Sequence, residues 1–508
     1  MKESETDFLY QSLPIDPENQ ILLANEHPSN WVNPCPKKIY DLIVIGAGPA
    51  GLVSAITARD QGKSVALIER DLIGGECMNI GCIPSKAILR TSRLYADMLN
   101  AENFGAEVPN DISINFDMLM ARMRRIRTQI SGHISVKELH KKGIDLFFGQ
   151  ARFDSSRSIR VDNCSLRFKK SIIATGSEPE IPAIPGLAEA GYLTDKTIFN
   201  LSSCPESLLV IGGGALGCEL AQAFARFGTK VTIVQTNPFF LNNVERDGAQ
   251  ILSDALADDG IGIFLNSEVS KIQSDGSKKI IEIATADTRT TVTVTHILVG
   301  IGQVPNTRDL GLDAANVSVA DTGHIIVDAF LRTSNSRIYG VGNICAEEQF
   351  AHIPDALARI AAENALFNKR EKVDTSSVPW CIYTDPELAH IGLQVKEARE
   401  QKIPVKTFTI LLHQVTRAIA DSEDVGFVKI HVKEGTDQIL GATLVSRHAG
   451  DIMNIISLAI KSKIGLAKLA TINYPYPTQG NAIKMAAVAY LHTLRPSWLR
   501  NLRNRFFK

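Results

Sequence analysis

Tryptophan is nearly absent from the chain, with 3 in 508 residues, and cysteine is sparse at 8. So few cysteines over such a length exclude a disulfide scaffold, the device of small secreted domains that lack a core. Missing too is an excess of either charge: 54 Lys and Arg face 55 Asp and Glu, a formal net charge of -1. That balance gives no electrostatic reason to expect a nucleic-acid partner, and no aromatic-basic stripe suggests a single-strand platform. No uninterrupted apolar run reaches bilayer length, since the stretch around Ile455 to Ala470 is broken by Lys461, Lys463 and Lys468. Met1 to Asp7 lack the basic and apolar regions of a secretory signal. A cytoplasmic protein is expected, of ordinary globular hydrophobicity (44%) and roughly two to four domains.

What is present is organised around Gly74-Gly75-Glu76-Cys77-Met78-Asn79-Ile80-Gly81-Cys82-Ile83-Pro84-Ser85-Lys86. Cys77 and Cys82 share a short loop softened by glycines, and Pro84 with Ser85 reads as the start of a helix carrying Lys86. The positive end of a helix dipole and a nearby lysine both favour a thiolate, so a disulfide closed here is easily opened. A structural staple or half of a zinc site would be the competing explanation. A staple is out of place without a secretory context. Zinc needs about four ligands, whereas Cys35, Cys164, Cys204, Cys218, Cys345 and Cys381 supply no second close pair. A redox-active pair is the better reading, and no resident metal is expected.

Leu42-Ile43-Val44-Ile45 suits a buried parallel strand, and Gly46-Ala47-Gly48-Pro49-Ala50-Gly51 follows at once, leading into a helix to Gln61. Gly46 permits the tight turn, Gly48 lets a pyrophosphate approach the backbone, and Gly51 lets helix and strand pack closely. The next strand, Ser64 to Ile68, ends in Glu69, placed to hold a ribose hydroxyl pair. The unit recurs. Leu208-Leu209-Val210-Ile211 leads into Gly212-Gly213-Gly214-Ala215-Leu216-Gly217, a helix to about Gly228, and a strand Val231 to Val234 ending in Gln235. Gln235 stands as far beyond Gly217 as Glu69 stands beyond Gly51. Two dinucleotide sites in one chain suggest an electron relay between two nucleotides. A carboxylate at 235 would favour NAD and repel a 2'-phosphate. Neutral Gln235 removes that repulsion, yet no cation follows until Arg246, so NADH and NADPH both stay open, with a slight lean to NADPH.

Ala174-Thr175-Gly176-Ser177 ends a strand of the first unit, and Val299-Gly300-Ile301-Gly302-Gln303-Val304-Pro305-Asn306 returns the chain towards it. Ile338-Tyr339-Gly340-Val341-Gly342-Asn343 reads as a strand and turn of the kind that touches a flavin. The fold class expected is α/β, with two Rossmann-like dinucleotide-binding domains, one inserted in the other, plus a C-terminal α+β domain. Residues 1–38 read as a surface-draped arm anchored by Trp31. Residues 39–180 with 303–370 form the first nucleotide domain, 181–302 the second, and 371–490 an interface domain of strands and two later helices. Residues 491–508 form a basic amphipathic tail. A solvated end is its simpler reading, and a weak membrane-surface contact is the alternative.

With these parts in order, the chain resembles the flavoprotein pyridine nucleotide-disulfide oxidoreductases, which include dihydrolipoamide dehydrogenase, glutathione reductase and mercuric reductase. The resemblance runs from Tyr40 to about Tyr490. It implies FAD held by Gly46, Gly48, Gly51, Glu69, Lys86, Thr175, Gly176 and Ser177, with Gly302 and Asn343 also at the cofactor. It implies NAD(P)H at Gly212, Gly214, Gly217 and Gln235, with Glu219 near the stacked rings. Electrons would pass from nicotinamide through flavin to a Cys77-Cys82 disulfide, Cys82 lying on the flavin side and Cys77 meeting the substrate. It further implies a homodimer whose active sites are completed across the interface.

Departures from the family narrow the substrate. Disulfide-handling members carry His-Pro-Thr near the C-terminus, with a glutamate following the histidine. Here Tyr476 takes the histidine's place and Asn481 the glutamate's. Expelling a thiolate benefits from a group titrating near neutrality, which a phenol at about 10 does not supply. Reducing a soft ion such as Hg(II) needs thiolates and electrons but no proton donor. Tyr476 is therefore assigned to the catalytic set, and the closest branch is mercuric reductase-like. The C-terminal cysteine pair of the well-known mercuric reductases is missing, so another small acceptor such as a quinone stays open. Dihydrolipoamide dehydrogenase or another disulfide reductase is the alternative enzyme. A flavin-bound redox sensor or membrane-associated adaptor is the alternative outside catalysis. Asn343 replaces the usual aspartate and brings a hydrogen bond without charge.

Overall fold

The computed structural model describes residues 8–109, 112–241, 244–345, 353–367, 369–374 and 378–494. Two compact units are formed, Met1–Val234 with Glu268–Val373, and Gln235–Ser267 with Asp374–Lys508.

The first unit is built on a parallel sheet whose central strand is Tyr40–Ile45, with Val65–Glu69 on one side and Cys164–Ile173 on the other. Asp145–Phe148 lies beyond Val65–Glu69, and Ile338–Gly340 pairs with Cys164–Ile173. Leu42, Ile43 and Val44 are fully buried, as a strand covered on both faces requires. Helix Pro49–Asp60 follows the first strand, opened by Pro49 at its first position. A second parallel group places Ser207–Ile211 between Lys230–Val234 and His296–Val299, with helix Ala215–Arg226 following. Ser177–Pro179 and Gln303–Pro305 form a short antiparallel pair, so the two runs singled out in sequence on either side of the second group meet.

Residues 8 to 38 are more than a draped arm. Asp16 caps helix Pro17–Glu26 by accepting from Asn19 N–H, and Pro17 starts it. Leu22 of that helix is fully buried, and Trp31 meets Phe148 edge-on at 5.9 Å. The sequence pattern hid this because the helix buries polar Asn19 and Glu26 together with Leu22, so no apolar period stands out. The redox stretch also differs from expectation. The helix begins at Cys82 itself and runs to Leu99, while Cys77 sits on its own helical turn, Gly75–Asn79.

The second unit contains a five-stranded antiparallel sheet, ordered Trp380–Ile382, Glu387–Gly392, Ile439–Ser446, Phe427–Lys433 and Val405–Leu411. Helices Ala449–Lys461 and Asn481–Leu494 join its core, in which Ile430, Leu444, Ile456 and Ala486 are fully buried. Among the described residues no helix is long and apolar enough to cross a membrane. The basic part of the tail, from Arg495 on, lies outside the described residues.

Candidate active site

The first glycine loop is shaped by close approach. Gly46 adopts φ +96°, and a side chain there would strike the Ala174 carbonyl, while one on Gly51 would strike the Gly46 carbonyl. Gly48 differs: a side chain on it would meet only the Gly75 Cα, at 3.9 Å. Gly48 and Gly75 approach each other closely, since a side chain on Gly75 would strike the Gly48 Cα at 2.8 Å, at the N-terminus of helix Pro49–Asp60, whose first N–H groups have no side-chain cap. That is a place suited to a phosphate. Glu69 is buried at the end of its strand. One carboxylate oxygen accepts from Ala47 N–H at 2.6 Å, and the other from Arg70 and Asp71 N–H at 2.8 Å each. Burial pushes its carboxyl up, against the pull of these N–H groups.

The second loop repeats this geometry. Gly212 has φ +105°, a side chain on it would strike the Gly300 carbonyl, and one on Gly217 would strike the Gly212 carbonyl. Gly214 is again the open one, 4.0 Å from Gly300, at the uncapped start of helix Ala215–Arg226. Gln235 directly follows strand Lys230–Val234, and its backbone N–H donates to Phe264 at 2.9 Å.

Cys77 and Cys82 are both half-buried free thiols in this structure. The hydrogen bond from Cys77 lowers the Cys82 thiol, and the nearby Lys86 ammonium lowers it further against the effect of burial. The same hydrogen bond and burial push Cys77 up. Cys82 is thus the group poised to be a thiolate, with Cys77 as its proton-bearing neighbour. Lys86 lies 2.8 Å from the Glu219 carboxylate, and the Glu219 side chain is 3% exposed. Lys86 is on the cysteine helix and Glu219 on the helix after the second glycine loop, so this ion pair ties the dithiol to that loop.

A polar cluster adjoins the dithiol. The Ser177 hydroxyl donates to Gln303 Oε1 at 2.6 Å, and Asn343 Nδ2 reaches the same oxygen at 3.3 Å. Gln303 Nε2 donates to the Glu76 carboxylate. Burial, with the neighbouring Asp195 carboxylate, pushes Glu76 up to about 7, and burial pushes Asp195 up as well. Thr175 is held through Asn306, whose carbonyl accepts from its hydroxyl at 2.8 Å. Gly176 has φ +65° and Gly302 lies beside the Glu180 carboxylate. Glu76, Gln303 and Asp195 were not singled out from sequence. Glu76 and Gln303 had a signal, adjacency to Cys77 and Gly302, but Asp195 had none.

Tyr476 belongs to the second unit. It is 75% exposed, and its hydroxyl reaches Thr416 Oγ1 at 3.4 Å. Asn481 Nδ2 is engaged by the Pro475 and Thr478 carbonyls of its own turn, at 3.2 and 3.1 Å.

Comparison with known proteins accounts for this assembly. Residues 40–359 match the pyridine nucleotide-disulphide oxidoreductase family, and residues 378–487 match that family's dimerisation domain. A mercuric reductase of Staphylococcus aureus is 31% identical over 451 residues, spanning 89% of this chain and 82% of the relative. A dihydrolipoyl dehydrogenase of Chlamydia trachomatis is 35% identical over 448 residues, spanning 86% and 94%. Among solved structures, a Cu(II) complex of the HOCl-induced flavoprotein disulfide reductase RclA from Escherichia coli is 26% identical with a TM-score of 0.79, covering 89% of this chain and 100% of that one. The dimerisation match indicates a homodimer. The chain belongs to the pyridine nucleotide-disulphide oxidoreductases, FAD-containing and NAD(P)H-dependent enzymes.

Proposed function

We propose that this enzyme passes electrons from NAD(P)H through the Cys77-Cys82 pair to a soft metal ion or another small acceptor, in preference to a disulfide. The observation that carries the reading is the pair of residues at the C-terminal turn. Tyr476 offers an exposed phenol and Asn481 an amide tied to its own turn, where disulfide reduction calls for an imidazole. The similarity to proteins named mercuric reductase, and to one solved as a Cu(II) complex, supports the same reading. Dihydrolipoyl dehydrogenases at 33–35% identity keep disulfide reduction as the second reading.

The residues fit FAD. The side-chain-free backbone where Gly48 and Gly75 pack together, the uncapped helix start and the buried Glu69 suit its pyrophosphate and ribose. Gly46, Gly51, Lys86, Thr175, Gly176, Ser177, Gly302 and Asn343 complete the set assigned to it. Gly212, Gly214, Gly217, Glu219 and Gln235 are assigned to the nicotinamide nucleotide. In domain terms, residues 39–180 with 303–370 hold FAD and 181–302 hold NAD(P)H. When bound, FAD supplies a two-electron carrier able to take hydride from nicotinamide and reduce a disulfide. Lys86 steadies negative charge, Cys82 holds the thiolate, and Cys77 meets the acceptor. A paired thiolate is also a good ligand for a soft cation. A cytoplasmic setting belongs to this reading, because a reactive dithiol is kept reduced in a reducing compartment.

The test is NADH and NADPH oxidation by purified holoprotein, comparing thiol-complexed Hg(II) with lipoamide and glutathione disulfide. Turnover with Hg(II), lost in Cys77→Ala while flavin is retained, is expected. Efficient turnover of either disulfide would overturn the argument from Tyr476.

A further inference from the structure

The N-terminal segment takes no part in the electron-transfer reading, yet it is fastened to the turn that follows strand Val65–Glu69. The Leu9 and Tyr10 N–H groups donate to the two oxygens of the Asp71 carboxylate, at 2.7 and 3.0 Å. His27 Nδ1 meets the Asp71 carbonyl at 2.6 Å. A carbonyl only accepts, so Nδ1 carries the hydrogen. The His27 ring lies between those of Tyr10 and Phe148, with centroids 4.3 Å from each. Asn33 pairs twice with the Phe148 backbone, its Oδ1 accepting from the N–H and its Nδ2 donating to the carbonyl, each at 2.8 Å. Leu9, Leu13 and Leu22 close the apolar side against Leu72 and Ile80.

These contacts converge on Glu69. Phe148 is its partner in the sheet, and the Gly149 N–H donates to its carbonyl at 2.9 Å. The Arg70 and Asp71 N–H groups fill its Oε1, whereas among the described residues Oε2 accepts only from Ala47 N–H. A carboxylate oxygen has room for about two hydrogen bonds. Oε2 therefore keeps a lone pair for a ribose hydroxyl. The direction of that lone pair is set by the turn 69–71, because two of the three N–H groups holding the carboxylate belong to it.

We propose that His27 is a positioning residue for the flavin cofactor: by pinning the Asp71 carbonyl it keeps the turn 69–71 in the form that presents Glu69 Oε2 to the ribose. The stack fixes where the imidazole lies, with Tyr10 from the N-terminal segment on one side and Phe148 from the strand beside Glu69 on the other. The hydrogen bond carries that placement to the turn. The N-terminal segment is then a brace for cofactor retention. This rests on the assignment of Glu69 to the flavin's ribose.

The test is the rate of flavin release from purified holoprotein at one pH, followed by flavin fluorescence after dilution. His27→Phe keeps a ring in the stack and loses the donor, and release about tenfold faster than wild type is expected, the scale of one hydrogen bond. His27→Asn, whose amide stands where Nδ1 does, should return most of the loss. Thr128→Val is the control: it removes the hydroxyl that donates to the Glu18 carbonyl at 2.9 Å, loosening the segment without touching Asp71, and should release flavin as wild type does. Glu69 and Asp71 are intact in all three, so the repulsion between their carboxylates is unchanged. Wild-type release from His27→Phe, release from His27→Asn no slower than from His27→Phe, or equally fast release from Thr128→Val overturns the proposal. His27→Leu, which also lacks the donor, decides where the phenylalanine variant does not fold. Glu69→Gln separates the proposal from the assignment beneath it. Fast release from Glu69→Gln beside wild-type release from His27→Phe overturns the role of His27 alone, and wild-type release from Glu69→Gln overturns the assignment and the proposal with it.

Discussion

Removing the Lys86 charge is expected to raise the Cys82 thiol by about one pH unit, about 1.4 kcal/mol against the thiolate. Lys86 stands one turn beyond Cys82 on helix Cys82–Leu99, a spacing that brings side chains to within about 6 Å. A unit charge at that distance, in an effective dielectric constant near 20, is worth about 2.8 kcal/mol, or about two pH units. Two features reduce this. The Lys86 side chain is 35% exposed, so solvent screens its field, and its Nζ lies 2.8 Å from the opposing Glu219 carboxylate. Together they bring the effect down by about half, to the unit stated. The hydrogen bond from Cys77, the larger influence on Cys82, is left in place. The assay is the pH dependence of iodoacetamide alkylation of the reduced protein, followed on the Cys82 peptide by mass spectrometry. Lys86→Met should move the midpoint upward, and Lys86→Arg should hold it near wild type. An unchanged or lower midpoint in Lys86→Met would refute the assignment of thiolate stabilisation to this lysine.

Two further outcomes follow from the geometry. Gly48→Val should weaken flavin binding, because its φ of -69° strains no side chain while the branched bulk crowds the helix start beside Gly75; retention of full flavin absorbance after gel filtration would count against the phosphate site. In the second unit, burial raises the Glu245 carboxyl, but His431, the Val395 N–H at 3.0 Å and Lys429 outweigh it and hold it at about 2. That folded value lies below the ordinary 4.5, so the stabilisation is present above about 4.5 and is lost as pH falls towards about 2. It amounts to about 3 kcal/mol at most, and Glu245→Gln should flatten this acid limb in a circular-dichroism titration; coincident acid transitions would show that the cluster contributes nothing.

The parts of this fold that were legible in sequence are those where one residue type meets a backbone demand. Gly46 and Gly212 need positive φ, and Gly51 and Gly217 need close packing, so strand, turn and helix could be placed within a residue or two. The acid or amide ending each second strand followed from the same spacing. What stayed hidden depends on chain segments far apart in sequence. Asp195 joins Gln303 and Glu76 only because the strand pair Ser177–Pro179 and Gln303–Pro305 closes. The helix Pro17–Glu26 is held by Arg127, through Asn19, as much as by leucines, so hydrophobic periodicity does not reveal it. The start of the cysteine helix was placed too late because Pro84 was read as its first turn, whereas Cys82 already lies in helical conformation.

The polar groups around the dithiol fit one electrostatic requirement. A thiolate on Cys82 is disfavoured by any second negative charge nearby, and two glutamates act on the dithiol, Glu76 beside Cys77 and Glu219 across from Lys86. Burial pushes Glu76 up to about 7, so near neutrality it carries only part of its charge, and the Glu219 carboxylate is offset by Lys86 at 2.8 Å. The cation that favours the thiolate, Lys86, is held at the edge of solvent by Glu219 instead of being sealed beside the sulfur. Raising the pH therefore acts on the site in two opposed ways: it ionises Cys82 further, and it charges Glu76 close to the thiolate. A metal ion bound by the pair needs the thiolate but no proton from the C-terminal turn. For an acceptor of that kind, activity should pass through a maximum, rising as Cys82 ionises and falling as Glu76 gains its charge, with no contribution from the C-terminal turn.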